Sequence, residues 1–335
     1  MYVIMPIIRE IVYNTASTGV DLALLCEKIG LSKQELDNAE QLVDFIQAQN
    51  VWNQAVALSG NLYLGLHLGK QKMPANIGVL GSLIQTCPDL ITAFIKVCEL
   101  NASIGDMFVY NYQVIDNQLI TIFTPALEWQ NLYPESARQA IDNSASSLVH
   151  LFRILSAQII KPTRAEFAHK GQLLDKQVYE DVLKCPVFLD QPQNRLFFRL
   201  EDVYKPVIAY NKQLSALFEE LVKQEILKMK QLQNTTQKVK NLLLSKYQHF
   251  IPQISDIAGE LNLSERTLQR ELKSEGTSFW EISEEWRKIL AISLMKNRKI
   301  TVNEIAYTLG YQEPNVFRRA FKRWTGKSPK DFIKN

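Results

Sequence analysis

The final hundred or so residues repeat one helix-turn-helix pattern, and each copy carries arginine on its second helix. The first copy runs from Ile254 to Phe279 (ISDIAGELNLSERTLQRELKSEGTSF) and the second from Val302 to Pro329 (VNEIAYTLGYQEPNVFRRAFKRWTGKSP). Ile257, Ala258 and Leu261 align with Ile305, Ala306 and Leu309. Leu268, Arg270 and Leu272 align with Phe317, Arg319 and Phe321 after one extra residue in the second turn. Apolar residues spaced by three and four predict two short helices per copy, sharing a buried seam. Ser255 and Asn303 are the expected N-caps, Asn262 and Gly310 the sharp turns, and Ser264 and Gln312 the openings of the second helices.

With Leu268 and Leu272 turned inward, Arg266, Gln269, Arg270 and Lys273 point outward. In the second copy Phe317 and Phe321 turn inward and present Asn315, Arg318, Arg319 and Lys322. Arginine matches guanine O6 and N7, and glutamine or asparagine matches adenine N6 and N7, each through two groove-edge atoms at once. A turn-linked helix pair inserts its second helix into the major groove in this way. One copy alone would equally suit a plain three-helix packing with a solvated basic face. Packing does not require the pattern to recur in the same order, so the repeat favours double-stranded DNA as the ligand. Between the copies, Phe279 to Asn297 reads as one helix of about 28 Å. A rod of that length suits two reading helices set about one DNA turn, roughly 34 Å, apart.

Charge is divided along the same boundary. From Asn234 onward there are 18 Lys and Arg against 11 Asp and Glu, a balance of +7, while the preceding residues have 20 against 24, or −4. A basic domain attracts the phosphate backbone through counterion release. Ser264, Lys273, Lys322, Arg323 and Lys327 are the candidate phosphate contacts, which position a protein without reading sequence.

From Thr235 to Ile333 the chain resembles the DNA-binding domain of AraC/XylS-type bacterial transcription regulators, most specifically in GYQEPNVFRRAFKRWTGKSP. The resemblance assigns base reading to Arg266, Gln269 and Arg270 in the first copy and to Asn315, Arg318 and Arg319 in the second. Arg318 departs from the small or hydroxylated residue frequent there, which leaves phosphate contact open for it. The front of the chain resembles, more diffusely, the arabinose-binding-like regulatory domain of one subgroup. The matching segments are GLHLG (Gly65 to Gly69), IGVLGSLIQTCPDL (Ile77 to Leu90), FAHKG (Phe167 to Gly171) and CPVFLDQPQNRLFFRLEDVYKPV (Cys185 to Val207). That label does not fix the ligand, because fold does not fix function.

In this front portion, helices are expected over Pro6 to Ser17, Asp21 to Lys28, Gln41 to Leu58, Leu62 to Leu68 and Asp89 to Glu99. Met107 to Ala126 alternates and turns at Asp116-Asn117, a hairpin signal. A long helix over Pro134 to Ala157 follows, then strands at Arg164 to His169 and Arg195 to Leu200. The expected fold is an α+β regulatory domain over 1–210, a helical linker over 211–233, and an all-α tandem helix-turn-helix domain over 234–335. The linker stretch Asn211 to Met229 carries a broad apolar stripe of Leu214, Leu217, Phe218, Leu221, Ile226 and Leu227, suited to its own domain or a second subunit. Trp52, Tyr63, His67, Tyr110, Trp129 and Tyr133 are candidates to line a ligand pocket, although each also suits the core. His67, between two leucines, reads as a half-buried satisfied histidine and not as a metal ligand or an acid-base catalyst.

No apolar run of about eighteen residues occurs, and the start MYVIMPIIREIVYNTAS lacks a signal-peptide pattern, so the expected location is the cytoplasm, at the nucleoid. Cys26, Cys87, Cys98 and Cys185 are unpaired in spacing, which argues against zinc or a disulfide framework. No nucleophile elbow, phosphate loop, HExxH or dinucleotide fingerprint is present. The expectation is a non-enzymatic, cofactor-free transcription regulator controlled by a small-molecule effector. The resemblance further implies activation as the commoner habit, a homodimer, and RNA polymerase as a second candidate partner. Two alternatives stand beside it. A DNA-repair methyltransferase would use Cys185, whose neighbours Val182, Leu183, Val187 and Phe188 are apolar; an architectural DNA-binding protein would need no effector.

Overall fold

The computed structural model describes residues 1–171, 174–232, 234–247, 250–296 and 300–333, in two compact units, Met1–Met229 and Lys230–Asn335. In the first unit, strands β1 (Tyr2–Ile4) and β2 (Leu42–Asp44) form a small antiparallel pair. A five-stranded sheet uses β3 (Phe108–Ile115), β4 (Gln118–Pro125), β5 (Arg164–Glu166), β6 (Val187–Phe188) and β7 (Asn194–Arg199) in the order β3-β4-β7-β5-β6. All its pairings are antiparallel except β5 with β6. The expected hairpin is β3-β4, and Asp116 and Asn117 both take positive φ, 49° and 58°. That is the backbone a two-residue turn needs to match the twist of its strands.

The expected strands at Arg164 to His169 and Arg195 to Leu200 are present as the shorter β5 and as β7, which is set one residue earlier. The helix expected over Gln41 to Leu58 begins only at Phe45. Asp44 accepts a hydrogen bond from the Gln47 N–H, and the residues before it pair with β1. A carboxylate at an N-cap satisfies an orphan N–H and so sets where a helix can start.

The sheet packs one face against the long helix Pro134–Ser156, which ends where Ala157 turns left-handed. Leu119, Phe123, Leu196 and Phe198 point into this core, and the Phe198 ring meets Phe152 edge-on at 5.2 Å. On the other face, Ile120, Ile122 and Phe197 form a small cluster, and the Arg164 guanidinium lies 4.0 Å over the Phe197 ring. GLHLG forms the helix Leu64–Gly69, which crosses the long helix at very close range. A Cβ on Gly65 would lie 2.1 Å from the Gln139 carbonyl oxygen, and one on Gly69 would lie 2.6 Å from that of Asn143. Only glycine permits this approach.

Helix Lys212–Leu232 follows the sheet. Val222 is fully buried and Phe218, Ile226 and Met229 pack on the first unit's core, whereas Leu214, Leu217 and Leu221 occupy an adjoining exposed face. The expected stripe is therefore two surfaces, and Leu227 is also exposed.

The second unit is helical: Thr235–Lys246, Ile254–Glu260, Glu265–Ser274, Phe279–Lys296, Val302–Thr308, Pro314–Thr325 and Pro329–Ile333. Asn297, the expected end of the connecting rod, lies outside the described residues. Trp286 on the rod is buried and donates its indole N–H to the Tyr247 carbonyl at 3.1 Å. Among the described residues no helix is long and apolar enough to cross a membrane.

Candidate nucleic-acid interface

The two copies fold by the same local geometry. Leu263 donates its N–H to the Ala258 carbonyl at 2.9 Å, and Tyr311 donates to that of Ala306 at 3.0 Å. Within each turn, Asn262 bonds back to Gly259 and Gly310 to Tyr307. Asn262 and Gly310 take φ of 54° and 81°, the left-handed conformation that lets a helix stop and satisfy its last carbonyls.

Helix starts differ from three expectations. The first helix of copy one begins at Ile254 behind Gln253, whose N–H bonds Asp256, so Ser255 is already inside it. In copy two Thr301, not Asn303, is the cap: Glu304 N–H donates to its hydroxyl and its own N–H donates to the Glu304 carboxylate. This reciprocal box is legible as Thr-x-x-Glu. The second helix of copy two opens at Pro314 behind Glu313, beyond Gln312, because proline suits a first helical position, where no intrahelical N–H bond is required. Ser264 does cap its helix, accepting from the Thr267 N–H at 3.1 Å. Its hydroxyl also bonds the Thr267 hydroxyl, so both of its contacts serve the start of the helix Glu265–Ser274.

Leu268 and Leu272 are fully buried, as are Phe317 and Phe321, whose rings stand 5.7 Å apart. Their burial fixes the rotation of both reading helices. Arg266, Gln269, Arg270 and Lys273 are exposed on the first, and Asn315, Arg318, Arg319 and Lys322 on the second. Arg266, Gln269, Arg270 and Arg319 make no side-chain hydrogen bond or ion pair among the described residues. Their side-chain polar groups therefore stand open to solvent. Arg318 differs: it donates to Asn315 Oδ1 at 2.7 Å and to Asn303 Oδ1 at 2.8 Å. Arg323 pairs with Glu284 at 3.0 Å, and Lys327 is exposed. Asn303 thus enters the candidate interface as a residue that periodicity did not mark; only its place beside Arg318 in the folded pair reveals it.

In the first unit, Trp52, Tyr110 and Trp129 line an internal cavity, whereas Tyr63, His67 and Tyr133 are not among its lining residues. His67 is half-buried with Nδ1 2.9 Å from the Asn61 amide nitrogen, and burial followed by the Lys70 charge lowers its pKa. Cys185 is buried, and burial, with the Glu180 carboxylate adding to it, pushes its thiol pKa up to about 12. A methyl-accepting cysteine needs a thiolate, and this environment holds the thiol neutral.

A family model described as the arabinose-binding domain of AraC transcription regulator, N-terminal, matches residues 19–207, more than half the chain. A helix-turn-helix domain model matches residues 257–335. Over 318 residues the chain is 26% identical to the ornithine utilization regulator of Pseudomonas aeruginosa, covering 95% of this chain and 92% of that one. Over 81 residues it is 43% identical to an uncharacterized HTH-type transcriptional regulator of Mycobacterium tuberculosis, 24% of each chain. Among solved structures, the transcriptional regulator CdpR from Pseudomonas aeruginosa aligns at 20% identity and a TM-score of 0.44, covering 93% of this chain and 96% of that one. With the front-domain model and the helix-turn-helix model matching in order, the chain belongs to the AraC family of DNA-binding transcription regulators, in the branch whose N-terminal ligand-binding domain is of the arabinose-binding type.

Proposed function

We propose that this regulator reads two successive major-groove segments, one with each reading helix, and that a small-molecule effector in the N-terminal domain controls it, with activation as the outcome. The observation that carries the reading is the pair of outward, arginine-bearing helix faces held by buried Leu268, Leu272, Phe317 and Phe321. Arg266, Gln269 and Arg270, with Asn315, Arg318 and Arg319, are the base readers. Lys273, Lys322, Arg323 and Lys327 grip phosphate, together with Ser264 if its hydroxyl turns from its cap. An effector acts through unequal affinity for two arrangements of the protein, so the regulated quantity is DNA affinity or the engagement of RNA polymerase.

The functional division follows the sequence: a regulatory part over 1–210, a helical connection over 211–233, and the DNA reader over 234–335. A homodimer completes the proposal, with Leu214, Leu217 and Leu221 as its apolar contact. Selection of bound sites from random DNA, with the footprint measured, tests the reading. Two short blocks spaced by about one helical turn, doubled in a dimer, are expected. A cognate-to-random affinity ratio near one would instead mark an architectural protein.

A further inference from the structure

The first unit holds a cavity of about 140 Å³ whose walls are mainly apolar, with Ile8, Ile11, Trp52, Phe94, Phe123 and Trp129 among them. That volume is close to the roughly 150 Å³ of an engineered apolar cavity that accepts benzene. It suits one aromatic ring and its substituent.

Polar groups on the wall narrow the chemistry. Lys72 is the charged side chain of the lining, and it is ion-paired with Glu10, both side chains being more than nine-tenths buried. An anionic ligand would find that positive charge already neutralised. Drawing Lys72 away would strand a buried carboxylate, which is strongly unfavourable. Tyr110 is satisfied by Ser144, with the two oxygens 3.1 Å apart. Ser147 Oγ and Asn101 Oδ1 are different: both atoms are buried, both residues line the cavity, and neither atom has a hydrogen-bond partner among the described residues. Ser147 is only 6% exposed. Buried polar atoms left unpaired are costly, and a ligand donor reaching them removes that cost.

We propose that this cavity is the effector site and that it takes a small neutral molecule, one aromatic ring or its equal in volume, bearing a hydroxyl that donates to Asn101 Oδ1 and accepts from the Ser147 hydroxyl. Only the word effector rests on the control proposed above; the ligand class rests on the cavity itself.

Phenol is the probe, with toluene lacking the donor and benzoate carrying charge, titrated into the full chain by calorimetry. Saturable phenol binding, weaker toluene binding and weaker or absent benzoate binding are expected. Ser147→Ala should weaken phenol about fivefold to tenfold, the equivalent of one hydrogen bond, and leave toluene unchanged. Ala140 also lines the cavity, so Ala140→Leu should abolish binding of both; should that variant fail to fold, Ser147→Ala decides. Absence of saturable phenol binding, or benzoate binding tighter than phenol, overturns the proposed ligand class. Saturating phenol that leaves affinity for the selected DNA site unchanged overturns the coupling of this cavity to DNA binding and leaves its ligand class standing.

Discussion

His169 Nε2 lies 2.8 Å from Asp142 Oδ1, inside a core where Asp142 has no solvent exposure. The other Asp142 oxygen accepts from the Tyr179 hydroxyl at 2.8 Å and from Arg138 at 3.1 Å. Burial, with the Asp142 charge adding to it, drives the Tyr179 pKa upward, so the phenol remains a donor. Arg138 also donates to the Leu62 carbonyl at 3.0 Å. One carboxylate on the long helix therefore ties FAHKG, the helix Lys176–Leu183 and the approach to GLHLG to a common point. Segments that look unrelated along the chain are joined by a single buried acid.

Removing that acid should be severe. Asp142→Ala removes the buried partner of Arg138, leaving that charge only the exposed Glu135 carboxylate 3.2 Å away, and breaking a buried pair from one side costs about 3–5 kcal/mol. The double change Arg138→Met with Asp142→Leu should cost less than Asp142→Ala alone, because it leaves no stranded charge. Urea unfolding of the variants, with Trp280, Trp286 and Trp324 replaced by Phe so that only Trp52 and Trp129 emit, checks both. A loss below about 1 kcal/mol for Asp142→Ala would mean that the network contributes little beyond an ordinary hydrogen bond.

Gly65→Ala should destabilise the same unit by more than about 2 kcal/mol, since the added methyl would meet the Gln139 backbone and not a movable side-chain end. Gly259→Ala is the matching control. It sits in the helix Ile254–Glu260 with open space around its Cβ position, so it should be neutral or stabilise by up to about 1 kcal/mol. Thermal midpoints of the two variants separate close packing from a general intolerance of glycine replacement.

Features visible in the sequence were those encoded locally. Leu268 and Leu272, like Phe317 and Phe321, fall one helical turn apart and so announce their buried face, and Asp116-Asn117 announces its turn by composition. Leu42–Asp44 reads as helix until β1, far away in the chain, pairs with it. The Lys72–Glu10 pair and the orphaned Ser147 hydroxyl depend on side chains brought together from distant parts of the chain, which periodicity does not record. Asn303 looks like a cap because Asn is a good one, yet Thr301 with Glu304 satisfies two donors at once and wins the position.

Cys185 should be nearly inert in the native protein. A thiol pKa raised to about 12 lies far above neutral pH, so the thiolate fraction at pH 8 is small; unfolding returns it toward about 8.5. Alkylation of Cys185 by iodoacetamide at pH 8 should accelerate on the order of a thousandfold in urea, as read by mass spectrometry of the modified peptide. Rapid native labelling would reopen the methyl-accepting alternative.

The reading helices make the sharpest test, because their residues fall into two physical classes. Arg270→Ala should cost about 1–3 kcal/mol on the selected site and relax preference at one or two base pairs, since a bidentate donor to one base edge is lost. Lys273→Ala should weaken all sequences alike and reduce the salt slope by about one, since a phosphate contact carries no sequence information. In the second copy, Arg318 already holds Asn315 Oδ1 and Asn303 Oδ1, so Asn315 and Arg318 act as one unit. Asn315→Ala and Arg318→Ala should therefore be non-additive, the double variant losing at least about 0.5 kcal/mol less DNA affinity than the sum of the singles. Competition binding across a library of single-base variants measures all five proteins, the four single variants and the double, against wild type. Equal, sequence-independent losses for Arg270→Ala and Lys273→Ala would remove the first reading helix from the major groove, and strict additivity in the second copy would mean that the Arg318–Asn315 contact does not persist on DNA.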